Sequence, residues 1–162
     1  MKNLLIVILV CVATIWTVQT VHSKEVYSEE ECLALNVYHE ARGESDAGQY
    51  AVADVVLNRV DSKHYPDSIC GVVFDSKRWE GYPVRNKCQF SWYCDGKSDA
   101  PTDQDAWHKA SSVAYEMYNY NRFRGLTEGA THYHTHYVNP RWNRNMKLIG
   151  TIGDHIFYLE KR

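Results

Sequence analysis

Apolar positions change their spacing several times along the chain, and each change marks a structural unit. Behind Lys2, the run from Leu4 to Val18 carries no charge. At about fifteen residues it is shorter than the roughly 20 that a membrane-spanning helix needs. Val21 and Ser23 then suit the −3 and −1 positions of a signal-peptidase site. The pattern predicts a secretory signal over 1–23, cleaved or kept as a signal anchor, and one domain over 24–162.

From Ser28 the period becomes helical. Ser28 with Glu31 three residues later forms a capping box, and the helix it opens is expected to run to about Arg42, with Gly43 at its stop. Asp46 with Gln49 opens a second helix, AGQYAVADVVLNRV, apolar enough to be central. A loop over Asp61 to Pro66 precedes a short helix through Cys70 to Phe74, started by Asp67 or Ser68. Residues 75–101 show no period and are read as irregular. A third long helix begins at Thr102, with Ala106, Ala110, Val113, Met117 and Tyr120 along one face and Gly125 at its end. Thr131 to Val138 alternates with period 2, and Lys147 to Glu160 holds two strand-like runs around a Gly153-Asp154 turn. The sum is an α+β fold: helices first, a small antiparallel sheet at the C-terminal end.

Composition narrows the function. With 162 residues, 44% hydrophobic, 13% aromatic and 23% charged, the chain has room for one packed domain. A formal charge of −2 gives no basic excess for nucleic acid. Cleavage after Ser23 removes Lys2, leaving 139 residues with a formal charge of −3. An exported chain meets oxidising conditions, so Cys32, Cys70, Cys88 and Cys94 are expected to form two disulfides, with three connectivities open. A metal site is the rival reading, but Cys88 and Cys94 do not have knuckle spacing.

Three groups of residues carry chemistry. Leu33, Val37 and Glu40 fall at i, i+4 and i+7, which puts Glu40 about 20° from Leu33 on the helical wheel. A carboxyl on a core-facing stripe is desolvated, its pKa rises, and it becomes a candidate proton donor to a glycosidic oxygen. The plainer reading is a helix-end Glu paired with Arg42 or Arg59. Asn36, one turn earlier, is placed to orient the acid, and Glu44 and Asp46 are candidate second carboxylates, Asp46 otherwise being an N-cap. His132, His134 and His136 alternate along a strand and share one face, either as metal ligands with His155 or as the wall of a ligand groove with Tyr133, Tyr137 and Trp142. Between Cys88 and Cys94, Gln89 and Ser91 are hydrogen-bonding groups suited to sugar hydroxyls and acetamido groups, with Trp92 and Tyr93 as stacking platforms and Phe90 turned inward.

Taken together these segments resemble a known family. Cys32-Leu33-Ala34-Leu35-Asn36-Val37-Tyr38-His39-Glu40-Ala41-Arg42-Gly43-Glu44 is similar to the opening motif of the spore-cortex-lytic, cell-wall hydrolases. Gly48-Gln49, Val56-Leu57-Asn58-Arg59-Val60, Cys70-Gly71-Val72-Val73, Cys88-Gln89-Phe90-Ser91, Thr131-His132-Tyr133-His134, Val138-Asn139-Pro140 and Ile152-Gly153-Asp154-His155 follow in order, so the resemblance spans about 31–158. It implies a lysozyme-like, transglycosylase-related domain that cleaves peptidoglycan glycan strands, with Glu40 as the acid/base. Gln89, Ser91, His132, His134, Tyr133 and Asn36 are the expected substrate contacts. Neither a cofactor nor a metal is expected, and the chain is expected to act as an exported monomer in the periplasm, cell wall or extracellular space, touching membrane only through an uncleaved N-terminal segment. The reaction outcome, transglycosylase or muramidase-type hydrolase, stays open. A zinc amidase using the His-rich strand and a non-catalytic wall-binding module are the alternatives of other classes.

Overall fold

The computed structural model describes residues 27–161, and the expected signal over 1–23 lies outside them. Four α-helices precede most of the sheet: α1 (Glu29–Ala41), α2 (Asp46–Val60), α3 (Ile69–Val73) and α4 (Gln104–Tyr120). Strands β1 (Ser76–Trp79) and β2 (Tyr82–Cys88) pair as a hairpin between α3 and α4. Strands β3 (His132–Thr135), β4 (Met146–Ile152) and β5 (His155–Glu160) form an antiparallel sheet in the order β3-β5-β4. No helix among the described residues is long and apolar enough to cross a membrane.

α1 is the central element, with every residue from Cys32 to Tyr38 buried. Its start is the expected capping box: the Ser28 hydroxyl accepts from Glu31 N, and the Glu31 carboxylate accepts from Ser28 N at 2.8 Å. α2, α3 and α4 pack around it in one core with Val56, Val72, Val73, Ala110, Val113 and Met117. A smaller cluster of Ala51, Val55, Ala130 and Phe157 joins α2 to the C-terminal sheet. Glu40 therefore stands where the central helix emerges between the helical core and the sheet.

Several boundaries differ from the sequence expectation for local reasons. Ser45, not Asp46, caps α2, and the Asp46 carboxylate lies 2.6 Å from Lys109 Nζ instead. α4 stops before Gly125, because Asn121 takes the left-handed conformation (φ 51°), leaving Tyr120 exposed. β3 ends at Thr135, since His136 N donates to Asp154 O and the chain turns. Residues 75–101 are not irregular throughout: β1 and β2 join through Glu80 and Gly81, both at positive φ (50° and 85°) as a type I′ turn requires. Gly153 is at the first central position of the β4–β5 turn with φ 59°, and a side chain there would strike Glu44 Oε2.

The connection from α4 to β3 is pinned by a buried carboxylate. Asp54 on α2 accepts from Gly125 N (3.1 Å), Thr127 N (2.9 Å) and Thr127 Oγ1 (2.7 Å), and pairs with Arg124. Arg59 Nε donates to Thr131 O at 2.8 Å, which fixes the start of β3 against α2. The disulfides join Cys32 to Cys70 and Cys88 to Cys94.

Candidate active site

Glu40 lies two residues beyond the buried run Cys32–Tyr38 of α1 and is half-buried. Tyr133 Oη donates to its Oε2 at 3.2 Å. Among the described residues Oε1 has no hydrogen-bond partner, and no cation lies within ion-pair distance of the carboxyl. Burial raises the Glu40 pKa above the ordinary glutamate value, while the Tyr133 hydrogen bond and the Arg59 charge pull it back down. Burial dominates, so the acid form persists to higher pH than in a solvated glutamate. Burial and the Glu40 charge raise the Tyr133 phenol pKa, so Tyr133 stays a donor.

A second layer holds Tyr133. Its ring meets His155 edge-on at 5.0 Å between centroids and Phe157 at 5.7 Å. His155 is buried, with Nδ1 3.4 Å from Glu44 Oε1 but outside hydrogen-bond geometry. Burial lowers the His155 pKa against the opposing charges of Glu44 and Asp154. Glu44 Oε2 accepts from Asp154 N at 3.0 Å, so this carboxylate braces the β4–β5 turn. Arg59 is buried with its guanidinium over the rings of Phe90 (5.0 Å) and Tyr65 (5.4 Å), and its Nη1 has no hydrogen-bond partner among the described residues. Arg42 instead lies over Tyr38 and does not reach Glu40.

The expected substrate contacts separate into two sets. Gln89 and Ser91 are exposed, Phe90 between them is buried, and neither polar side chain bonds to the described protein. Phe90 packs against Arg59, whose charge also acts on Glu40. His132 is half-buried, with Nδ1 3.0 Å from Thr131 Oγ1 and its ring 5.4 Å from Trp142. Burial, aided by the Arg59 charge, lowers its pKa.

Asn36 and His134 need correction. Asn36 is wholly buried, its Oδ1 accepting from Trp92 Nε1 at 3.3 Å, so it supports the helix and cannot meet a substrate. His134 is buried between Tyr158 and Trp142, with Nε2 3.0 Å from Tyr158 Oη and Nδ1 2.9 Å from Thr135 O. Both nitrogens are engaged within the sheet. The three alternating imidazoles do not converge either, because His136 lies beyond the strand, against Asp154. Among the described residues no group of three or more His, Cys, Asp or Glu side chains is gathered to hold a metal.

Tyr133 as a partner of Glu40, the Glu44 brace and the exposed β1–β2 hairpin were not anticipated. The first two are tertiary contacts between residues 93 and 110 apart in the chain. The hairpin had a local signal in Glu80-Gly81, weakened by a turn position that seldom holds Glu and by Pro83 inside a strand.

Residues 43–158 match the family model described as Cell Wall Hydrolase, a span that begins just after Glu40. The spore cortex-lytic enzyme of Halalkalibacterium halodurans is 49% identical over 51 residues, 30% of this chain and 16% of that protein. The spore cortex-lytic enzyme of Bacillus subtilis is 54% identical over 43 residues, 26% of this chain and 14% of that protein. The matched stretch is thus a small fraction of either relative. The catalytic domain of the germination-specific lytic transglycosylase SleB from Bacillus anthracis superposes with a TM-score of 0.60 at 30% identity, covering 83% of this chain and 98% of that one. The α+β, lysozyme-like architecture expected from the sequence is that of this catalytic domain.

Proposed function

Because the chain belongs to the cell wall hydrolase family, we propose that it is a peptidoglycan lytic transglycosylase with Glu40 as its single acid/base. The substrate bond is the β-1,4 linkage between N-acetylmuramic acid and N-acetylglucosamine. The observation that carries this reading is a half-buried glutamic acid of raised pKa, held on one oxygen by Tyr133 with the other oxygen unpartnered.

Protonated Glu40 gives its proton to the glycosidic oxygen as the bond to muramoyl C1 breaks. The resulting carboxylate takes the proton of the muramoyl C6 hydroxyl, whose oxygen closes on C1 to form a 1,6-anhydro ring. One group serves as acid and then as base, so a pKa set by opposing forces suits both steps. Burial favours the acid form, and Tyr133 with Arg59 stabilises the carboxylate formed between the steps. Tyr133 also leaves Oε1 as the oxygen that moves the proton. Gln89, Ser91 and the exposed edge of His132 are assigned to substrate hydroxyl and acetamido groups. The chain works after export, as a monomer.

Digestion of purified peptidoglycan followed by mass spectrometry tests the reaction. The expected products end in 1,6-anhydromuramic acid, lighter by one water than hydrolytic products, and form equally in EDTA. Reducing-end muramic acid identifies a hydrolase instead. Cleaved peptide stems with intact glycan, dependent on added zinc, contradict the proposal.

A further inference from the structure

The β1–β2 hairpin is an arm that the chemistry at Glu40 does not use. Trp79 and Tyr82 are register partners at its tip and lie 73% and 76% exposed. With Glu80, Pro83 and Val84 they line an open hollow of about 520 Å³. Side chains opposite each other on an antiparallel pair stand on one face, so both rings are offered to one occupant.

The arm is cationic in an acidic protein. Lys77, Arg78, Arg85 and Lys87 are exposed against the single acid Glu80, whereas the whole chain carries −2. None of the four has a carboxylate partner among the described residues. Arg78 instead donates to Gly81 O (3.1 Å) and Tyr93 Oη (3.3 Å), which stiffens the ribbon. Its base is closed by Gln89 N donating to Asp75 O at 2.9 Å, and the Cys88–Cys94 disulfide ties the end of β2 to the turn that follows. β2 runs directly into Gln89, so the arm and the proposed substrate segment are one continuous piece of chain. At 3.3 Å per residue β2 is roughly 20 Å long, too long for one small ligand to touch both ends.

We propose that the hairpin is a distal binding arm for an anionic glycan strand. Trp79 and Tyr82 stack on sugar rings beyond the cleavage point, and Lys77, Arg85 and Lys87 pair with the carboxylates of the peptide stems. This rests on the activity proposed above, because peptidoglycan combines flat sugar faces with regularly spaced carboxylates. An anionic membrane surface also attracts aromatic and basic groups, but it would not explain an arm that runs straight into the proposed substrate segment at Gln89.

The test is co-sedimentation of the full chain, made inactive by Glu40→Gln, with purified sacculi. In that background Trp79→Ala with Tyr82→Ala is expected to weaken retention about tenfold. Lys77→Gln with Arg85→Gln and Lys87→Gln should weaken it to a similar degree at low salt and leave little further salt dependence. The deficit of the charge variant should vanish on sacculi whose carboxyl groups have been converted to amides, whereas that of the aromatic variant should remain. All these positions are exposed, so melting temperatures should match the parent, and Tyr82→Ala alone supplies the comparison if the double variant fails to fold. Retention equal to the parent in both variants overturns the arm while leaving the activity intact. Loss of binding to phosphatidylglycerol vesicles with sacculus binding unchanged overturns it in favour of a membrane. A wild-type chain that neither binds nor cleaves sacculi overturns the activity first, and the arm with it.

Discussion

Tyr133 and Arg59 act on Glu40 against the pull of burial, and the balance predicts a pH response. A donor to the carboxylate stabilises the charged form, so removing the Tyr133 hydroxyl raises the Glu40 pKa further. In the proposed mechanism the acid form is the one that cleaves, so activity should fall as pH rises through that pKa. Tyr133→Phe should move the alkaline limb of the pH–rate profile to higher pH. It should also lower the maximal rate by roughly two- to tenfold, the range of one net hydrogen bond. A limb that stays put or moves down would refute the link. At this scale the sequence was readable for Glu40, because helical period gives direction around an axis. It was not readable for Asn36, on nearly the same stripe, because period says nothing of depth along the axis. Asn36 lies under Trp92, and Glu40 stands where the cover ends. His134 was misread for the parallel reason: strand alternation defines a face, and only the fold reveals that Tyr158 and Trp142 cover it.

Elements with strong local signals were legible. The Ser28 capping box, the apolar run of α2 and the Gly153-Asp154 turn all stand where the pattern set them. The β1–β2 hairpin was lost because both strands are solvent-exposed along most of their length, so no apolar alternation marks them. The even cysteine count pointed to two disulfides, but pairing is a matter of tertiary distance. Cys32–Cys70 ties α1 to α3 across 38 residues, and Cys88–Cys94 closes a span of 6. Chain-entropy scaling then predicts unequal contributions, about 4 kcal/mol for the first and about 2 kcal/mol for the second. Denaturant unfolding of Cys32→Ala/Cys70→Ala and Cys88→Ala/Cys94→Ala variants should return that order. A larger loss from the short span would contradict it.

For the whole molecule, the proposed active site is a place where the fold carries an unfavourable group. A glutamate whose pKa is raised on folding binds protons more tightly in the native state than in the unfolded chain. Its contribution to stability is therefore present below the ordinary glutamate pKa and is lost as pH rises through the raised one. Glu40→Gln removes the buried charge, so the variant should melt higher than wild type at neutral pH. The gap should close below the ordinary glutamate range, where both chains are neutral at this position. The same substitution removes the proposed proton donor, and general acid catalysis is worth about 10²–10⁴-fold. The most direct test is the initial rate of sacculus lysis by purified Glu40→Gln at neutral pH, beside its melting temperature. A rate at least a hundredfold below wild type, with the fold as stable or more so, is the predicted result. A rate within a few-fold of wild type would contradict the assignment of Glu40 as the acid/base.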